Sequence, residues 1–248
     1  MKFSVMTVTK NRKETLINTI ESVLNQDFDS YEYIIQDGLS VDGSKELVLS
    51  YKKQFRKKGI NLIFNSEADN SVVDGFNKAL NQCNGDYIVI CNSDDQLMPN
   101  ILSDMDKAIK NKKGFDIYHG DMILNGSRIK NSNFDNIYGG ILAFHPTEFV
   151  KSSVFQEIGN YSEKFGIASD KEFFIRAFVN GKLFYNTGLV VNTYSQNGIT
   201  NTNTLRIAWL NHIIRVTYGH NKIKSIIIFS KKTVRHMLSR LKRLIVNN

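Results

Sequence analysis

The sequence predicts an α/β protein: a Rossmann-like, mostly parallel central sheet flanked by helices, with a C-terminal helical extension. Three observations predict it. Apolar runs and helical spacing alternate as β-α-β-α-β-α-β over the first 95 residues, the pattern of a parallel sheet with right-handed crossovers. Three of the runs end in polar clusters: Thr9-Lys10-Asn11, Asp37-Gly38 and Asn92-Ser93-Asp94-Asp95. The last of these follows Tyr87 to Cys91, an uninterrupted apolar run that reads as a strand buried on both faces. Open α/β sheets bind ligands at the carboxyl ends of their strands.

The elements follow in order. Lys2 to Thr9 reads as the first strand, and Leu16, Ile20, Val23 and Leu24 give Arg12 to Asn25 a helical period. Tyr31 to Gln36 is the second strand, and Gly43-Ser44 opens a helix through Tyr51. Asn61 to Asn65 is the third strand, Asp74 to Asn84 a short helix, and Gly85 breaks that helix before the fourth strand. Beyond Pro99 come a helix (Ile101 to Lys110), a strand (Asp116 to Leu124), a polar loop (Lys130 to Gly140), and strand then helix (Glu148 to Ile158). A helix (Asp170 to Asn180), a strand region (Leu183 to Tyr194), a polar loop (Gln196 to Thr204) and helix from Ala208 onward complete the chain. The domain reading is one domain over 1–205, with a ligand-binding half (1–99) and a second half (100–205), followed by an extension over 206–248.

The 248 residues suffice for a substantial core, with 42% apolar and 23% charged side chains. Cys83 and Cys91 lack metal-type or CxxC spacing and fit small core residues in a reducing compartment. The N-terminus turns polar after eight residues, unlike a signal peptide, and no apolar run approaches the roughly 20 residues of a membrane span. A cytoplasmic location is expected.

Charge is unevenly distributed. All 24 acidic residues lie before residue 173, whereas 173–248 carries 12 Lys/Arg and no acid. Along the extension Ile227, Val234, Leu238, Leu241 and Ile245 share one face, and Lys231, Lys232, Arg235, Lys242 and Arg243 favour the other. An anionic membrane surface is the expected partner, at the inner face of the cytoplasmic membrane. Aromatic residues are not interleaved with the basic ones, so nucleic acid is not an expected partner.

The chemistry centres on Asp94 and Asp95. Two adjacent carboxylates share a small volume only if a cation joins them or one takes a proton. Hard oxygen ligands beside phosphate oxygens suit Mg²⁺ or Mn²⁺. A nucleotide diphosphate there needs polar groups at the first two strand ends, and Thr9 and Asp37 occupy them. Lys78 lies on the short helix just before the fourth strand. Transfer to a hydroxyl needs a general base. Asp170 is the first candidate and Glu172 the competing one; His145 and Asp121 are candidates for the same cleft.

These residues together resemble the family 2 glycosyltransferases with the GT-A fold. Four blocks carry the resemblance over about residues 1–200: FSVMTVTKNRKETLINTIESVLNQDF, YIIQDGLSVDGS, SEADNSVVDGFNKALNQCNGDYIVICNSDDQL and HPTEFVKSSVFQEIGNYSEKFGIASDKEFFIRA. The resemblance implies that Thr9, Asn11 and Asp37 contact the nucleotide and that Asp69, Asp74 and Lys78 lie near the sugar-diphosphate. It implies that Asp94 meets the ribose or metal, that Asp95 binds Mn²⁺ or Mg²⁺, and that Asp170 deprotonates an acceptor hydroxyl. The reaction implied is transfer of one sugar from a nucleotide-diphosphate sugar, with inversion. The implied acceptor is a saccharide, lipid-linked given the basic extension, in surface polysaccharide biosynthesis. Gly198 marks the loop expected to close over the donor. Two departures stand out. Asn92-Ser93 precede the acidic pair, and Leu39 stands where a small residue is usual. No processive Gln-x-x-Arg-Trp block is present.

Competing readings are weaker. A nucleotide-sugar-forming nucleotidyltransferase needs a Gly-rich basic loop after the first strand, and a dinucleotide oxidoreductase needs GxGxxG there. Val8-Thr9-Lys10-Asn11 is neither. A catalytically silent nucleotide-sugar-binding or scaffold protein is the remaining alternative.

Overall fold

The computed structural model describes residues 2–130, 145–194, 204–231 and 233–234. Strands β1 (Phe3–Thr9), β2 (Tyr31–Asp37), β3 (Asn61–Ser66) and β4 (Tyr87–Ile90) alternate with helices α1 (Lys13–Leu24), α2 (Ser44–Lys57) and α3 (Val72–Leu80). The second half contains β5 (Gln96–Leu97), α4 (Ile101–Asn111), β6 (Ile117–Leu124), β7 (Ser127–Ile129), β8 (Glu148–Lys151) and α5 (Ser152–Ile158). It continues through α6 (Ser169–Val179), β9 (Phe184–Tyr194) and α7 (Thr204–Thr217).

The sheet order is β3-β2-β1-β4-β8-β6-β9-β5, with β7 paired to β6. β3, β2, β1 and β4 are parallel, as expected for the first 95 residues. Beyond β4 the sheet is mixed rather than mostly parallel. β8 inserts antiparallel between β4 and β6, β9 runs parallel to β6, and β5 is antiparallel to β9. This inversion places the start of β8 beside the carboxyl end of β4, with Val89 opposite Phe149.

Side-chain alternation along the strands builds two cores. Phe3 and Val5 of β1, with Tyr31, Tyr33 and Ile35 of β2, face α1, α2 and α4. Met6 and Ile34 face the other side, against α3, α5 and α6. Period-two alternation with helices on both faces is the doubly wound arrangement.

Several boundaries differ from the sequence reading. α2 continues past Tyr51 to Lys57 because Val48, Tyr51 and Phe55 keep one buried stripe. α3 starts before Asp74, at Val72, where Ser71 accepts the Asp74 amide at 3.1 Å as N-cap. The terminal helix starts at Thr204. α7 is not a detached extension: Ile214 packs against Phe165, Ala168 and Ile175, with Leu210, Ile213 and Tyr218 around them. A further helical stretch covers 222–231, and residues 235–248 lie outside the described residues.

Candidate active site

The carboxyl ends of β1, β2 and β4 meet in a web of loop hydrogen bonds. The Gly38 amide donates to the Thr9 carbonyl at 2.9 Å. Asn11 takes a left-handed conformation (φ 53°) and accepts the Val41 amide at 2.9 Å, while its own amide donates to Ser40 Oγ at 2.7 Å. Asp42 accepts from the Lys13 amide and from Ser44, tying the start of α1 to the start of α2. Asn11 therefore fastens two loops together. Within this web the Thr9 hydroxyl is buried with no hydrogen-bond partner among the described residues.

Asp37 is fully buried within its own turn. It accepts the Ser40 amide at 3.0 Å, the Ser66 hydroxyl at 2.6 Å and the Ser40 hydroxyl. A carboxylate has about four acceptor positions, so one remains. Asp69 packs on the same turn and meets Lys10 at 3.3 Å. A Cβ on Gly38 would lie 2.4 Å from Asp69 Oδ2, so the glycine is what admits that carboxylate. Gly38→Ala should lower unfolding free energy by about 1–3 kcal/mol through overpacking. It should also weaken nucleotide binding. Chemical denaturation and ligand titration check both, and unchanged values would mean Asp69 has room to withdraw.

Asp74 and Lys78 serve the start of α3. Asp74 accepts the Asn70 amide at 2.9 Å and meets Lys78 at 3.2 Å. The amide first, then the lysine, hold the Asp74 carboxyl below its ordinary range. Lys78 also donates to the Ala68 carbonyl at 2.6 Å. Both residues are engaged in a helix cap beside Asp69.

Asp94 and Asp95 differ sharply despite being neighbours. Asp95 is fully buried, and its Oδ2 accepts the Asn92 side-chain amide at 2.8 Å. Its carbonyl accepts the Thr19 hydroxyl of α1 at 2.7 Å. Asp94 is half-buried at the mouth of the loop. Burial pushes its carboxyl above the ordinary carboxylate range, and the Arg12 guanidinium draws it back. Asp94 is thus the more open of the two carboxylates, whereas the resemblance implies Asp95 as the metal ligand. Asn92, the departure from the usual acid, orients Asp95.

Around the start of β8 lies a second group. His145 Nε2 pairs with the Tyr161 hydroxyl at 2.8 Å, and its ring meets Phe76 and Phe174 edge-on. Burial holds the imidazole below its ordinary pKa, against the opposing effect of Asp170. Asp170 lies in the first turn of α6, whose N-cap is Ala168; its Oδ1 accepts the Lys171 amide at 2.6 Å. It therefore lies inside that helix rather than capping it. Phe174 stands one turn beyond it and meets His145, so the first turn of α6 lies beside the His145–Tyr161 pair.

Two further candidates are held in ion pairs. Glu172 is buried in an ion pair with Arg176 at 2.9 Å and accepts the Tyr218 hydroxyl just after α7. Arg176 also caps the carbonyls of Ile158, Gly159 and Asn160. Glu172 thus cross-links α6 to the end of α5 and to the segment after α7. Asp121 is buried against Arg128 at 2.7 Å across the β6–β7 hairpin. Gly198 lies outside the described residues. Sequence reasoning missed Arg12, Ser40, Asp42 and Ser66, whose signal was only that of turn formers, and the buried Glu148 and Asn192. Asn192 has neither amide atom partnered among the described residues.

Among the described residues no cluster of three or more His, Cys, Asp or Glu is placed to hold a metal alone. The donor chemistry nonetheless fits a cation shared with a phosphate ligand. Mg²⁺-type ions commonly take one or two carboxylates and complete their shell with phosphate oxygens and water. Asp94 supplies one open, incompletely compensated carboxylate.

Comparison with known proteins places this arrangement. Residues 4–171 match the model of Glycosyl transferase family 2. The PGL/p-HBAD biosynthesis glycosyltransferase of Mycobacterium bovis is 24% identical over 206 residues, 81% of this chain and 79% of the relative. The Staphylococcus aureus poly(ribitol-phosphate) beta-N-acetylglucosaminyltransferase TarS is 25% identical over 197 residues, 73% of this chain and 33% of TarS. The structure of TarS residues 1–349 in complex with UDP-GlcNAc superposes with a TM-score of 0.70 at 20% identity. It covers 95% of this chain and 72% of that one. The mannosyltransferase PcManGT from Pyrobaculum calidifontis, in complex with GDP-Man and Mn²⁺, gives 0.69 at 15% identity, covering 93% and 69%. An α/β sheet with its open carboxylate and unpartnered hydroxyl at one set of strand ends, matched over 4–171, makes this chain a glycosyltransferase of family 2.

Proposed function

We propose that the protein transfers one sugar, with inversion, from a nucleotide-diphosphate sugar to a hydroxyl of a saccharide acceptor. Supporting this reading are the half-buried Asp94 and the unpartnered Thr9 hydroxyl after β4 and β1, with Asp170 close to His145 and Glu148 at the start of β8, the strand next to β4. Buried polar groups without partners are rare in folded proteins and mark places where a ligand completes the bonding. Thr9, Asn11 and the remaining acceptor position of Asp37 form the nucleotide side. Asp69 and Lys10 line the approach to the sugar-diphosphate, with Asp74 and Lys78 setting the loop behind them.

Asp94 would hold Mn²⁺ or Mg²⁺, with Asp95 fixing the loop that presents it. When bound, the cation supplies positive charge to the departing diphosphate. The leaving group then needs no proton, so one carboxylate base suffices. Asp170 takes that role: it accepts the acceptor hydroxyl proton as the oxygen attacks the anomeric carbon and the bond to the diphosphate breaks. Thermal shift across UDP-, GDP-, CDP- and TDP-sugars with Mn²⁺ tests the donor half, since a ligand bound to the native state raises its stability. One donor should stabilise the protein; no shift with any of them would favour the silent scaffold.

The acceptor is proposed to be lipid-linked, in surface polysaccharide assembly at the inner face of the cytoplasmic membrane. Support comes from the stretch 222–231, which exposes Ile223 (69%), Ile226 and Ile227 beside Lys222, Lys224 and Lys231. Trp209, half exposed, packs against Phe229 at 5.6 Å. Apolar side chains flanked by lysines suit an anionic bilayer surface. No helix among the described residues is long and apolar enough to cross a membrane. Replacing Ile223 and Ile226 by Glu together should abolish co-sedimentation with phosphatidylglycerol vesicles and spare donor binding. Unchanged sedimentation would refute this surface.

A further inference from the structure

Glu148 is not used by the mechanism above, yet it stands beside the proposed base. It opens β8 opposite His119 of β6 and is only 2% exposed. Neither carboxyl oxygen has a hydrogen-bond partner among the described residues. Its cavity is walled by Ile88, Ile90, Val150 and Phe155, with the His145–Tyr161 pair as the polar side. An ionised carboxylate without donors is not tolerated in such a wall; a neutral acid is.

We propose that Glu148 is a positioning residue that works as a neutral carboxylic acid, keeping the wall behind Asp170 free of a second negative charge. This rests on the assignment of Asp170 as base. Burial, and then the Asp170 charge, push Glu148 well above its ordinary range. The other groups facing it are His119 from β6, His145 and Tyr161, with Arg176 and Cys83 behind Tyr161. Burial holds His119 at about 4 and His145 low, so both are neutral above pH 7. Burial raises Tyr161 beyond the working range and Cys83 to about 12. Above neutrality, then, ionisation of Glu148 is the event that sets two anions against each other and displaces the base.

The sign follows from linkage. A carboxyl whose folded pKa is raised contributes stability that is full below its unfolded value and is lost as pH rises toward the folded value. Glutamine has the same shape and never ionises. Glu148→Gln should therefore flatten the decline of Tm that wild type shows as pH rises above the ordinary carboxylate range.

The test is the pH profile of transfer, or of slow donor hydrolysis, for wild type, Glu148→Ala, Glu148→Gln and Asp170→Asn. Glu148→Ala should lower kcat about tenfold or more, and Glu148→Gln should recover most of that loss at pH 7. Glu148→Gln should also carry activity further into the alkaline range than wild type. A loss of about 100-fold in folded Glu148→Gln would overturn the proposal, because the group would then act ionised. So would an alkaline limb and a Tm profile superposing on wild type. Asp170→Asn reads the underlying assignment separately: wild-type activity in that variant would remove the base, whatever Glu148 does.

Discussion

Asp170→Asn should reduce sugar transfer by about 10²–10⁴-fold while leaving nucleotide-sugar affinity and Tm close to wild type. The size follows from its role. Proton removal by a positioned carboxylate contributes about 3–5 kcal/mol to transition-state stabilisation, at about 1.4 kcal/mol per tenfold. The selectivity follows from its place. Asp170 lies in the first turn of α6, outside the loops that follow β1 and β2, and it accepts the Lys171 amide. Asparagine can still accept that amide, so the helix start survives. Initial rates with saturating donor, together with calorimetric titration of the donor, check both halves. A parallel loss of binding and rate would mean that Asp170 holds the donor instead.

The second large effect separates the two adjacent acids. Asp94→Asn should cost about 10²–10³-fold in metal-dependent turnover with the fold intact, because Asp94 is the open carboxylate. Asp95→Asn should act on stability first. It removes the carboxylate acceptor of the Asn92 amide and disturbs the loop fastened to Thr19. Losing a buried bond of this kind costs about 1–3 kcal/mol. The two variants, compared by thermal melting and by Mn²⁺ titration of activity, should show opposite signatures. If Asp95→Asn keeps its Tm and loses metal dependence, the roles are as the sequence resemblance implied.

What the sequence made legible is the half of the molecule built from local rules. Tyr87 to Ile90 is wholly apolar and Tyr31 to Asp37 is centred on Tyr33-Ile34-Ile35, so both read as buried strands, and the crossover rule then orders β1 to β4. The antiparallel entry of β8 between β4 and β6 was not legible, because pairing between residues 60 apart leaves no trace in composition. β5, two residues long, was too short to carry a period.

The site divides the same way. Strand-end polarity located Thr9, Asp37 and Asp94. It could not tell Asp94 from Asp95, since identical side chains one residue apart are separated only by which way the loop turns them. The Glu172–Arg176 pair was in principle readable at i,i+4 spacing. Asp121–Arg128 needed the hairpin first. Glu148 could have been noticed as an acid at the head of an otherwise apolar EFV run, but its lack of a partner is a fact of packing.

The central claim is that the carboxyl end of β4 presents the donor diphosphate with its cation through Asp94. Mn²⁺ anomalous diffraction from crystals grown with the stabilising nucleoside diphosphate tests it most directly. The account predicts a single ion in direct contact with an Asp94 oxygen, at about 2.0–2.2 Å, with Asp95 outside the shell. An ion held by Asp95, or nucleotide bound away from the ends of β1, β2 and β4, would contradict it.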